Sequence, residues 1–407
     1  MTRPQLVSPG EGEFALFADG LNAANVFLRN NTQVEGEVRL PNAQISGQFD
    51  CDGAHLSNRG GAALRADSLN AVYVFLRNNA HVEGVVWLLQ AKISSQLVCH
   101  GARLVNPDGY ALFADSLDVA NVYLSDAHVE GEVRLRGAQI SGELDFDGAH
   151  LVNPDGYALY ARRCQIGEKL YFRLATRAVG KVDLAYAQVG ALDDKLASWP
   201  ETFNLVGCSY RSLEAKNRDP SQRLKWWLSG SEPFSPDVYS QLAEVYRRSG
   251  EEGHARKVAI KREKERTSQP DLNWWVRKWR CFLGFTVAYG YEPWRALGLF
   301  VVLLAFGWLY FVAQPAAKQT MIPARHGIDG PDSAAEACQN YPCFSPLVYT
   351  LDALVPIIDF HQETYWVPAA NKPWGRVNLG LTTALILAGW LLITAIVAGV
   401  ASLWRRE

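Results

Sequence analysis

Almost no net charge remains once 40 lysines and arginines are set against 42 aspartates and glutamates. The balance of −2 gives no electrostatic reason to expect a nucleic-acid partner. The first residues, Met-Thr-Arg-Pro-Gln-Leu-Val-Ser-Pro-Gly, lack the apolar core of a secretory leader, which predicts that the front of the protein stays in the cytoplasm. Missing too are a nucleotide loop, a metal-ligand cluster and a pair of catalytic residues. Gly10-Glu-Gly-Glu-Phe-Ala15 imitates a dinucleotide fingerprint, yet no apolar strand precedes it and no helix follows, so the match is accidental. Neither a cofactor, a metal nor an enzymatic activity is expected on these grounds.

What the chain does have is apolar length near its end. With 407 residues, 48% of them hydrophobic, it has room for two or three domains. Ala296 to Ala313 is an unbroken apolar run of 18 residues with Trp294, Trp308 and Tyr310 near its ends. Leu381 to Ala401 is interrupted only by Thr382, Thr383 and Thr394. About 20 apolar residues cross a bilayer, so spans are expected at 295–313 and 379–403 of a membrane domain covering 293–407. Arg277, Lys278, Arg280 and Arg295 precede the first span, and Arg405 and Arg406 follow the second. The positive-inside rule then puts both termini in the cytoplasm of a multi-pass protein of the inner (plasma) membrane, with loop 314–378 outside. Cys338 and Cys343 in that loop are candidates for a short disulfide, the alternative being two free thiols. Cys51, Cys99, Cys164 and Cys208 are expected to be reduced.

The first half repeats itself. Asn31-Thr-Gln-Val-Glu-Gly-Glu-Val-Arg-Leu40, Asn79-Ala-His-Val-Glu-Gly-Val-Val-Trp-Leu88 and Asp126-Ala-His-Val-Glu-Gly-Glu-Val-Arg-Leu135 start 48 and then 47 residues apart. Inside each lies a shorter period, since Val34, Ile45 and Leu56 are 11 residues apart. The local pattern, Ala-x-(Ile/Leu/Val)-x-Gly-x-(Val/Phe/Leu), alternates about a glycine, as short strands with one inward face do. Such units stack into a solenoid with a ladder of like residues at its core, in which Val34, Val82 and Val129 should share one rung position. The strands are expected from residue 13 to about 207, in a domain of 1–210, with Lys181–Gly190 more irregular. His55 and His150 share one repeat position with Arg103, and His81 and His128 share another with Gln33, which gives these histidines a structural reading. Cys51 and Cys99 align with Phe146, marking an interior site.

With these motifs the chain resembles the pentapeptide-repeat proteins, divergently, because its unit is 11 residues and carries insertions such as Val105-Asn-Pro-Asp-Gly-Tyr110. The resemblance implies a right-handed, roughly square parallel β-helix that serves as a binding surface for a cytoplasmic protein or ligand. Chains of this look are often labelled membrane-associated oxidoreductases, an activity for which the sequence offers no residues.

From Ser235 the period turns helical, with Val238, Leu242, Val245 and Tyr246 on one face. Ser235 and Pro236 suit N-cap and N1 positions, and Gly250 suits a stop. Together with a charged second helix, Glu251 to about Thr267, this stretch resembles a single tetratricopeptide-like hairpin over about 33 residues, and the connector that holds it, 220–268, reads as a spacer. The segment 271–292 then mixes Trp274, Trp275 and Trp279 with Arg277, Lys278 and Arg280, and with Trp294 it suits the lipid headgroup zone of a bilayer.

Between the spans, Ser345-Pro346 opens a short helix, 345–356, with Leu347, Leu351, Leu354 and Ile358 expected on one face. Asp359, His361 and Glu363 follow. Span, short dipping helix, polar exit and span is the layout of a pore, and it resembles the two-span pore-loop channels over residues 294–404. The resemblance implies an ion-passing homo-oligomer, a tetramer by analogy. The potassium filter is missing, with Val355-Pro-Ile-Ile-Asp359 in its place. Asp352, Asp359, Thr350, His361 and Glu363 are the pore-lining candidates. The alternative is an amphipathic helix resting on the outer leaflet of a membrane-anchored scaffold. A seam of Gly380, Ala384, Ala388, Ala395 and Gly399 on the second span is expected to allow close helix contact.

Overall fold

The computed structural model describes residues 5–7, 14–214, 220–228, 230–270, 272–313, 320–324, 342–355 and 357–404. The chain divides into two compact units, Met1–Arg262 and Glu263–Glu407.

Alternating apolar residues in the first unit build two parallel sheets of 11 strands each, wound as a solenoid of about 9 turns. The register explains the nested periods. Val34 pairs with Leu56, Leu56 with Val82, Val82 with Leu104, and Leu104 with Val129, all fully buried. Ile45 sits on the opposite sheet beside Ala71. One step of 11 residues therefore crosses from sheet to sheet, and two steps close a turn. The 47- to 48-residue repeat is two turns, one plain and one lengthened by an excursion.

Each excursion is closed by an asparagine side chain. The Nδ2 of Asn58, Asn106 and Asn153 donates to the carbonyl of Ala62, Tyr110 and Tyr157, each at 2.8 Å. Beside each excursion, in the next turn, sits the glycine of the Val-Glu-Gly motif or its equivalent. Gly84 and Gly131 have φ of +122° and +120°, and a Cβ on either would overlap the carbonyl oxygen of Asn58 or Asn106.

Lys181–Gly190 is more regular than expected, because Val179–Asp183 and Gln188–Asp194 continue the ladders, which end at Ser209–Leu213. The solenoid is then capped by helices. Helix α1 (Pro236–Arg248) buries Val238, Tyr239, Leu242, Val245 and Tyr246, and Gln241 Nε2 donates to the carbonyl of Tyr210 in the last strand. Ser235 occupies the N-cap, but its hydroxyl makes no capping bond. Helix α2 (Glu252–Ser268) adds Ala255 and Val258 to the same core. The expected spacer is thus a lid on the apolar end of the coil, whose exposed rungs need cover.

The second unit contains α3 (Trp274–Val287), α4 (Trp294–Ala313), α5 (Pro346–Leu354), α6 (Gln362–Tyr365) and α7 (Pro373–Trp404). Strands Met321–Pro323 and Trp366–Pro368 pair antiparallel. Helix α3 passes into α4 through a left-handed turn at Ala288 and Tyr289. Trp294–Ala313 and Trp374–Val397 are long and apolar enough to cross a membrane. Only 17% and 28% of these windows are buried, so neither is an enclosed core helix.

Candidate functional site

Five of the nine residues of α5 are buried, and glycines make its seat. Tyr349, Thr350, Ala353 and Leu354 are buried, with Tyr349 and Leu354 in a cluster formed with Phe311 of α4, Leu385 of α7 and Trp366. The Thr350 side chain fills the space a Cβ on Gly307 of α4 would need. The carbonyl of Leu354 does the same at Gly389 of α7. Small residues are what let a helix approach this closely.

This arrangement corrects two expectations. Leu347 is 46% exposed and Ile358 is 54% exposed, so the buried face of α5 is a different one. The helix ends at Leu354, and Val355 leaves it with ψ 70°, which takes Ile358 off any common face. The small-residue seam is shifted too. Gly380 and Ala384 are exposed, Ala388 is half-buried, and the burial of Gly399 falls outside the described residues. Asn378, Thr382, Leu385, Gly389, Leu392 and Ala395 form the inward stripe of α7 instead. Polar members of that stripe are used: Asn378 accepts from the Tyr310 hydroxyl at 2.9 Å and donates to Thr320 Oγ1 at 2.9 Å, while Thr382 meets the Tyr349 hydroxyl at 3.2 Å. No sequence pattern announced these three-way contacts.

The five pore-lining candidates separate. Thr350 is buried, its hydroxyl donating to the Pro346 carbonyl at 2.8 Å. Asp352 is buried as well, and each oxygen accepts a backbone N–H: Oδ1 from Phe360 at 2.9 Å, Oδ2 from Glu363 at 2.8 Å. It ties the start of the loop to its end. Asp359, His361 and Glu363 do come together. Asp359 Oδ1 accepts from the His361 N–H at 2.7 Å, and His361 holds a left-handed φ of 65°. Glu363 is half-buried, and burial together with the charges of Asp352 and Asp359 raises its carboxyl above the ordinary range. Around this group Ile357, Ile358 and Phe360 are exposed.

The aromatic segment keeps its expected place on a helix. Trp274, Trp275 and Trp279 are exposed on α3, the first two stacked at 4.0 Å, and Trp294 is exposed at the start of α4. Arg280 pairs with Glu263 at 3.5 Å, Arg277 donates to the Gln269 carbonyl at 3.2 Å, and Lys278 is exposed. The proposed Cys338–Cys343 bridge depends on Cys338, which lies outside the described residues. In the solenoid, a group missed by sequence reading fastens the last turns: Asp194 is fully buried against Arg223 at 2.5 Å and accepts from Trp199 Nε1 at 2.7 Å.

No family model, no curated protein and no solved structure matches the chain. The resemblances to pentapeptide-repeat proteins and to pore-loop channels therefore stand on residues and layout alone.

Proposed function

We propose that this chain is an oligomeric, channel-like membrane protein that passes ions and is regulated through its β-solenoid. The observation that carries this reading is the seat of α5 against Gly307 and Gly389. Gly389 lies 15 residues from Trp374, the start of the apolar stretch of α7, or about 22 Å along a helix. Gly307 lies six residues from Ala313, about 9 Å. If α4 and α7 cross a bilayer with a core of about 30 Å, a helix seated at those glycines is re-entrant. Two spans cannot enclose an axial path in one subunit, so conduction requires several copies. Such an assembly would also cover Ile357, Ile358 and Phe360 and turn Asp359 toward water, since a carboxylate facing lipid is costly. Asp359, with His361 and Glu363 beside it, is then the cation-attracting group.

One observation favours the second reading, a membrane-anchored scaffold. The carboxylate of Asp352 is spent on its own loop and is not free to serve an ion path. The two readings part in proteoliposomes: a channel gives cation flux that Asp359→Asn reduces while the oligomer persists in detergent. A monomer in detergent, with no flux from the wild-type chain, leaves the scaffold.

A further inference from the structure

The outer side of the first sheet carries a ladder that sequence alignment had split into two repeat positions. Register places Gln33, His55, His81, Arg103, His128 and His150 next to one another on successive turns. Two residues further along each strand runs a second row with Glu83 and Glu130. The 47-residue spacing therefore sets a histidine beside a glutamate twice, and the two sites differ in what surrounds them.

At the first site the rings of His55 and His81 stack at 4.7 Å with 9° between their planes. One ligating atom from each of His55, His81 and Glu83 lies within 4.8 Å of the other two. His81 Nε2 is buried, and Glu83 Oε1 lies 3.3 Å from it. The other carboxylate oxygen, Oε2, is held by Arg59 Nε at 2.7 Å and Ser57 Oγ at 3.2 Å. A ring nitrogen and a carboxylate oxygen therefore face each other 3.3 Å apart, next to a second imidazole. At the second site the corresponding atoms are satisfied. Glu130 Oε1 takes both His128 Nε2 at 2.9 Å and Arg103 at 3.1 Å, His150 Nδ1 meets Thr176 at 3.2 Å, and the two rings stand 5.8 Å apart and tilted by 46°.

We propose that His55, His81 and Glu83 form a binding site for a divalent transition metal of the zinc, nickel and copper group, clamping two neighbouring turns of the solenoid. Two nitrogens and one oxygen suit these ions. Magnesium and calcium want an oxygen shell that the site lacks, and Arg59 already balances the single carboxylate. All three ligands are half-buried, so a fourth position stays open to water or to a group from another molecule. This site does not depend on the pore reading, and a protein that conducts nothing would still bind the ion.

The test is a Zn2+ titration of the purified full chain in detergent, in competition with a chromophoric chelator, together with the melting temperature with and without Zn2+. The site predicts a metal-dependent rise in melting temperature. It also predicts that His81→Ala or His55→Gln weakens Zn2+ binding by about 10-fold or more and removes the rise, while His128→Ala keeps both. Each metal-free variant should melt like the metal-free wild type, and one that does not is replaced by the other histidine variant. Ca2+ should produce neither signal. The proposal is overturned if Zn2+ gives no rise in the wild type, if both His55→Gln and His81→Ala bind as the wild type does, or if His128→Ala loses as much as they do.

Discussion

Both units rely on glycines to bring backbone close, and they differ in how often each device is used. In the solenoid the excursion closed by asparagine occurs at Asn58, Asn106 and Asn153, with Gly84 and Gly131 receiving the first two. In the second unit Gly307, Gly389 and Asp352 each act once, holding one short helix and its loop. A repeated device spreads its load over neighbouring turns, whereas a single one has no copy to share it. Substitutions in the two regions should therefore fail in different ways.

The largest effect is expected at the buried ladder. Val82→Asp puts a charge without a partner between Leu56 and Leu104, and chemical unfolding of the full chain should lose about 3–5 kcal/mol. A loss under about 0.5 kcal/mol, the scale of a surface site, would break the register. Close behind comes Arg223→Met, which leaves Asp194 buried without its cation, with Trp199 Nε1 still donating to it. It should cost about 3 kcal/mol and speed hydrogen exchange in Ser209–Leu213 before the first turns. Simultaneous exchange along the whole coil would contradict the spread of load.

In the second unit, Gly389→Leu should push α5 from its seat at about 1–3 kcal/mol, while Gly380→Leu, on the open side of the same helix, should stay within about 0.5 kcal/mol. Equal effects would restore the seam at Gly380. The smallest change is chemical. Cys51, Cys99, Cys164 and Cys208 are buried, and burial raises the Cys99, Cys164 and Cys208 thiols to about 12, so none should react with maleimide in the folded protein at neutral pH. The exposed Cys281 of α3 should react, which makes it the residue that reports which side of a membrane this helix faces. Labelling of Cys51 or Cys99 in folded protein would contradict their place in the core.

Repetition is also what made the solenoid readable from sequence. Val34, Val82 and Val129 announced one inward position three times, and Cys51 and Cys99 could be checked against Phe146. Neighbours across turns stayed hidden, because 22 residues separate Val34 from Leu56 and 26 separate Leu56 from Val82. For that reason the repeat pattern marks His55 and His81 as positions and not as a pair. In the second unit the helices were legible from length, apolarity and proline. The role of Asp352 was not, since its partners are N–H groups eight and 11 residues onward in a loop without periodicity. Composition likewise showed small residues along α7, and only packing shows that Gly389, and not Gly380, seats α5.

The account rests on α5 lying at membrane depth, and reagent size tests that most directly. Cysteine is placed at Asp359 in full-length protein carrying Cys281→Ser, Cys338→Ser and Cys343→Ser, reconstituted in liposomes with the loop outside. A re-entrant α5 predicts that a small cationic thiol reagent modifies the Asp359→Cys chain at least about 10-fold faster than a bulky polymer-linked maleimide does, relative to the same pair of reagents at an exposed position ahead of the apolar stretch of α7, Asn371→Cys. Equal relative rates at the two positions would mean that the short helix lies on the surface, and the channel reading would give way to the scaffold.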